Sequence, residues 1–219
     1  MRRLFLLWFL LLAQPSYADD EGWASRDYDY AKNTLDDFYD RKYWDMVSPM
    51  SKRPREKLAR AASTAIAARR QPRMPDVLAA HIASDTRAAH VAFFRKMLVR
   101  YGEFERLMQV PKNDLAVAVA SLIAISYQSY VQVELDDTTF KRLIEQTRTH
   151  LTAMPDFMKL PLADKQDMFE HAAIISMTML AARAAHIDIR ASAKQYLEGV
   201  LKVDANRIEV TKQGISIRD

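Results

Sequence analysis

An all-α bundle of five or six helices, closed by a small C-terminal β-hairpin, is the fold this sequence predicts. Glycine occurs only four times in 219 residues, while Ala, Leu, Met, Lys, Arg and Gln, which lose little side-chain freedom in a helix, are abundant. Nineteen consecutive residues, 115–133, carry no charge, the mark of a helix buried on all sides. Near the C-terminus the period changes: Ile208, Val210, Ile215 and Ile217 alternate with polar residues around Lys212-Gln213-Gly214, the pattern of a hairpin. A lone hairpin is marginal in water, so this one is expected to lie against the bundle.

The chain opens Met1-Arg2-Arg3, continues without charge from Leu4 to Ala13, and reaches Ser16-Tyr17-Ala18. A positive start, a short apolar core and a small-x-small site predict a signal peptide over 1–18, with the mature chain beginning at Asp19. The apolar core is about half the length of a bilayer crossing. Losing Arg2 and Arg3 lowers the formal charge from +4 to +2, so global charge points to no partner. The chain has no cysteine. Disulfides and lipid attachment at a cysteine are thereby excluded, and the core alone must hold the fold. The expected location is periplasmic or secreted, with no membrane span after leader cleavage.

Residues 19–47 read as an acidic, aromatic arm. Positions 19–45 hold nine acids, four bases and seven aromatics, and Leu35, Phe38, Tyr39, Tyr43 and Met46 fall at helical spacing, predicting a short amphipathic helix over 28–44. Ser48-Pro49 and Arg53-Pro54 interrupt the chain. The helical domain then covers 48–219. Its first helix is expected to start at Pro54 and run to 70, turning Leu58, Ala62, Ala65, Ile66 and Arg69 to one face. A second stretch over 76–101, broken near Ser84, carries the stripe Val91, Phe94, Leu98 and Tyr101, with Gly102 placed for a left-handed cap. Asn113 is expected to cap the uncharged helix. Asp136 or Asp137 caps a fourth, with Phe140, Leu143, Ile144, Thr147 and Leu151 inward and Pro155 as its stop. A fifth follows over 163–185, its methionine-rich stretch 172–182 beside the central helix. The sixth covers 188–201, with Ala193, Tyr196, Leu197 and Val200 inward.

The runs NDLAVAVASLIAISYQSYVQ, ADKQDMFEHAAIISMTMLAARA and RIEVTKQGISI together resemble a family of exported bacterial proteins catalogued only as a domain of unknown function. The likeness spans roughly 48–217, in pattern more than identity. It implies a helical periplasmic domain and brings no catalytic residue with it.

Each motif of chemistry meets a structural alternative. The histidines, at 81, 90, 150, 171 and 186, never pair at i+3 or i+4, the spacing by which one helix offers two ligands to zinc. No Gly-x-Ser-x-Gly turn, catalytic Ser-x-x-Lys or glycine-rich phosphate loop occurs. Leu107-Met108-Gln109-Val110 resembles a stretch of the lytic transglycosylases, but those need a glutamate followed by serine upstream. Here Glu103 and Glu105 precede Phe104 and Arg106. No catalytic, cofactor-binding or metal-ligating residue is therefore expected.

The most unusual local composition is 51–73, with eight cations against the single acid Glu56. Arg53, Arg55, Lys57, Arg60, Arg69 and Arg70 are the candidate partner-binding residues. The bland alternative is a solvated face that offsets the acidic arm. An acidic exported protein or an anionic envelope component suits this surface, whereas nucleic acid is scarce in that compartment. The expected role is a non-catalytic exported binding or accessory protein of the cell envelope. The alternative is a peptidoglycan-acting hydrolase with a site gathered from scattered residues such as Glu134, Glu170 and His171.

Overall fold

The computed structural model describes residues 64–218 apart from His81. The expected leader 1–18, the expected arm 19–47 with its expected helix, and the first half of the expected 54–70 helix lie outside the described residues. From Thr64 to Arg70 the chain is not helical. It runs extended, with Ala65 bridged antiparallel to Asp114, Ile66 N–H donating to Asn113 O (2.9 Å) and Leu115 N–H to Thr64 O (2.9 Å). The small residues here leave little apolar face for a helix to bury, and the backbone instead finds partners at the start of a later helix.

Seven helices follow among the described residues: α1 (Met74–Ala79), α2 (Arg87–Leu107), α3 (Leu115–Val131), α4 (Asp137–Ala153), α5 (Pro155–Lys159), α6 (Leu162–Ala184) and α7 (Arg190–Leu201). A single 3-10 turn (Ala205–Arg207) leads into β1 (Ile208–Thr211) and β2 (Gly214–Ile217). The fold is all-α with a small antiparallel hairpin, as the composition predicts.

α3 is the centre. It packs against α6, α7 and α4, while α2 lies against α6 and α1 against α2. Every residue from Leu115 to Ser129 is buried. Two of its serines bond to their own helix, Ser121 Oγ donating to Val117 O (2.8 Å) and Ser129 Oγ to Ile125 O (2.7 Å), while Ser126 Oγ donates to Met179 Sδ of α6 (3.5 Å) and Gln128 to Glu134 (3.1 Å). On α6, Ser176 and Thr178 likewise bond to their own helix, at Ala172 O and Ile174 O. Such back-bonding satisfies the hydroxyl without a partner from another element. With no charge to desolvate, α3 and the uncharged part of α6 form the core. Among the described residues no helix is long and apolar enough to cross a membrane.

The helix ends correct two expectations. Gly102 lies inside α2 rather than at its end. α2 stops instead at Gln109 (φ 53°), where Val110 N–H reaches Glu105 O (3.1 Å) and Gln109 N–H reaches Arg106 O (3.3 Å), the paired bonds of a left-handed helix terminator. Asp114, not Asn113, caps α3, its Oδ1 accepting from Ala116 N–H (2.9 Å) and Val117 N–H (3.4 Å). Asn113 takes the left-handed turn before it (φ 51°).

α4 follows its expected pattern: Asp136 caps it, and Phe140, Leu143, Ile144, Thr147 and Leu151 are buried. Pro155 ends it and opens α5 at once. In the hairpin Ile208 pairs with Ile217 and Val210 with Ile215, and β2 lies on α4. There Gln146 accepts from Ile215 N–H (2.7 Å) and donates to Ile215 O (3.0 Å), so one side-chain amide mimics a third strand.

Candidate functional site

A buried polar constellation lies where the chain 64–66 crosses between α2, α3 and α4. Asp114 is its hub. Besides capping α3, its Oδ1 accepts from Thr64 Oγ1 (2.7 Å), and its Oδ2 pairs with Arg148 of α4 (2.9 Å). Arg148 also donates to Thr64 Oγ1 (3.3 Å). Glu105, one turn from the end of α2, accepts from Asn113 N–H (2.9 Å). A turn earlier Tyr101 lies 3.3 Å from Ser121 of α3, its ring edge-on to Phe169 of α6.

Burial sets the electrostatics. It pushes the Glu105 carboxyl up to about 7, against the Asn113 amide and Lys112, which favour the anion; Asp114 adds to the rise. The same desolvation raises the Tyr101 phenol well above its usual value. Asp114, with four donors around it, is a saturated structural carboxylate. A raised carboxyl beside a phenol is the kind of pair from which general acids are built, but both groups lie inside the packing: Glu105 is 3% exposed and Tyr101 1%. The arrangement locks a crossing chain to three helices.

Glu134, Glu170 and His171 are not brought together. Glu134, just beyond α3, pairs with Arg183 (2.6 Å) and accepts from Gln128 (3.1 Å). Glu170 lies toward the other end of α6, where it accepts the N–H groups of Arg73 (2.8 Å) and Met74 (2.9 Å) and so caps α1. From residue 170 to residue 183 of α6 is about 20 Å at 1.5 Å per residue. His171 is buried, and desolvation lowers its imidazole to about 3, which keeps it neutral across the physiological range.

Of the candidate basic residues, Arg53, Arg55, Lys57 and Arg60 lie outside the described residues. Arg69 turns inward to α6: it donates to Gln166 (2.9 Å) and Ala163 O (2.7 Å), pairs with Asp167, and reaches Glu170 at 3.7 Å. It therefore clamps the crossing chain to the bundle. Arg73 adds a second bond to Asp167 (2.7 Å), whereas Arg70 is exposed. The sequence pattern does not single out Asp114, Arg148 or Thr64, and it meets Glu105 only as a glutamate that lacks the serine of a lytic transglycosylase. A legible signal existed only for Asp114, an aspartate directly before an uncharged helix.

A recess of about 10 Å³ lies among Val119, Ile123, Thr147, His150, Leu151, Val200 and Leu201, room for about one water. Among the described residues no group of three or more His, Asp or Glu side chains is placed to hold a metal ion.

Fold and polar junction together define a small all-helical domain whose buried charges tie its own elements together. The chain belongs to the family of unknown function DUF6683, whose model matches residues 37–218. No curated protein and no solved structure matches it.

Proposed function

We propose that this is a non-catalytic binding or accessory protein of the bacterial cell envelope, exported through its leader to the periplasm or beyond, and that its basic segment meets an anionic envelope component. The observation that carries the reading is how the candidate catalytic carboxylates are used. Glu170 caps α1, and Glu134 pairs with Arg183 about 20 Å away along α6. A glycoside hydrolase needs two carboxyls within about 5–9.5 Å across an open cleft. Arg69 is spent on α6, which leaves Arg53, Arg55, Lys57, Arg60 and exposed Arg70 as the partner-facing set.

The test uses purified full chain with isolated peptidoglycan sacculi and with phosphatidylglycerol vesicles. Binding that weakens from low to physiological salt, and is lost on joint charge reversal of Arg55, Arg60 and Arg70, supports the proposal. Release of soluble glycan fragments, abolished by Glu170→Gln, overturns it in favour of the hydrolase. Salt-independent binding unchanged by the reversal makes the basic segment a solvated face.

A further inference from the structure

We propose that the outer face of α2 is a docking surface, and that its occupant is the chain's own acidic, aromatic segment 19–45. The proposal is independent of the envelope-binding role above.

α2 packs inward on α6 and α1 through His90, Phe94, Met97, Tyr101 and Phe104. On its opposite side Ala88, Ala92, Arg95, Val99, Gly102 and Arg106 recur at alternating steps of four and three residues, the seam along which a second segment can lie against a helix. Val99 is 65% exposed, the most open large apolar side chain described. A Cβ added at Gly102 would meet nothing within 4 Å, so the middle of the seam is open where a bulky side chain can enter. Around it stand Arg95, Lys96, Arg100 and Arg106 against two acids, Asp76 of α1, which pairs with Arg95 (3.1 Å), and Glu103, which pairs with Arg100 (2.8 Å), so the rim is net positive. A mid-helix glycine weakens a helix by about 0.5–1 kcal/mol, a cost that close approach of a second segment would offset.

The occupant follows from charge, chemistry and reach. Residues 19–45 carry nine acids against four bases, complementary to the rim of the seam, together with seven aromatics to fill it. The family match begins at residue 37, so Phe38, Tyr39, Tyr43 and Trp44 belong to the shared domain and not to a private leader. The chain outside the described residues also ends in the right place. Thr64 is bonded to Asp114, and the neighbouring Asn113 N–H to Glu105 of α2, so the preceding chain emerges beside the C-terminal half of that helix. Residues 46–63 can span up to ~60 Å when extended, while α2, with 21 residues, is about 32 Å long.

The sequence supplies its own reporter, because Trp8, Trp23 and Trp44 all precede residue 64. In full chain carrying Trp8→Phe and Trp23→Phe, Trp44 reports the segment alone. Docking predicts blue-shifted emission and protection from iodide. Adding Arg95→Glu, Val99→Asp and Arg106→Glu should shift emission to the red and raise iodide quenching severalfold while the helical circular dichroism is retained. Unchanged emission and quenching would overturn the proposal. Should those substitutions unfold the chain, cysteine trapping decides, since the parent has no cysteine. The pair Trp44→Cys with Val99→Cys should close a disulfide within one monomer on mild oxidation. The pair Trp44→Cys with Lys141→Cys, on exposed α4, should not. Equal trapping of both pairs, or disulfide-linked dimers in place of monomers, sinks the intramolecular assignment.

Discussion

α2 and α3 are consecutive helices of similar length, yet they solve opposite problems. α3 has no charge and is enclosed by α4, α6 and α7, and two of its serines bond to its own carbonyls. α2 lies at the edge: one stripe is buried, and the other side carries cations, a glycine and an exposed valine. A helix with so few polar groups is positioned along most of its length by packing. The edge helix must be oriented by specific bonds at its ends, which is the work of Glu105 and the junction around Asp114.

The contrast is broken most directly at matched positions. Ile123→Asp puts an unpaired charge in the centre of α3, where the side chain is 2% exposed, and should cost several kcal/mol, enough to abolish the cooperative thermal transition. An unaltered melt would show that α3 is not the core. Asp114→Ala removes the α3 cap and leaves half-buried Arg148 without its carboxylate. A loss of about 2–4 kcal/mol in urea unfolding is expected, and Asp114→Asn should recover the capping part only.

Glu105 sharpens the comparison through pH. Its folded carboxyl lies at about 7 against an ordinary 4.5, so the folded state holds the proton more tightly. Its contribution is fully present below about pH 4.5 and is lost as pH rises through 7, by at most about 3 kcal/mol. His171, lowered to about 3 from 6.5, acts in the opposite sense, removing stability as pH falls from 6.5. The two slopes oppose each other between pH 4.5 and 6.5. Glu105→Gln deletes one of them, so the variant should gain stability from pH 5 to 7 relative to the parent. Parallel urea midpoints for the two proteins would refute the assignment. Val99→Asp on the outer face of α2 has the smallest expected effect, no more than about 1 kcal/mol. A loss comparable to that of Ile123→Asp would mean that the face belongs to the core.

What the sequence revealed divides along the same line. The uncharged run, the α4 stripe and the alternating C-terminus were legible because burial there depends on local periodicity alone. The extended course of 64–70 was not, because small residues suit helix by propensity while their backbone partners, Asn113 and Leu115, are remote in sequence. Gly102 invites the role of terminator, but Gln109 performs it, because the paired bonds of the helix end, Val110 N–H to Glu105 O and Gln109 N–H to Arg106 O, hold a non-glycine residue at φ 53°. The junction was illegible for the same reason: Thr64, Asp114 and Arg148 meet only in space. Arg69 looked like part of a basic surface because Gln166, Asp167 and Glu170, which engage it, lie far along the chain.

The pairing of Gln146 with Ile215 has a consequence for how the protein behaves in a crowd of its own copies. A β-strand with an open edge invites strands from other molecules, and here one glutamine amide occupies both backbone groups of Ile215. That shield depends on Gly214, whose φ is +105° and whose missing Cβ leaves the space taken by Gln146 Oε1. Any larger residue at 214 would displace the amide and strain the turn together, baring the strand while the helices stay folded. Gly214→Ala should therefore raise the rate of self-association well before it lowers the melting temperature, so that a hairpin turn governs shelf life more than stability.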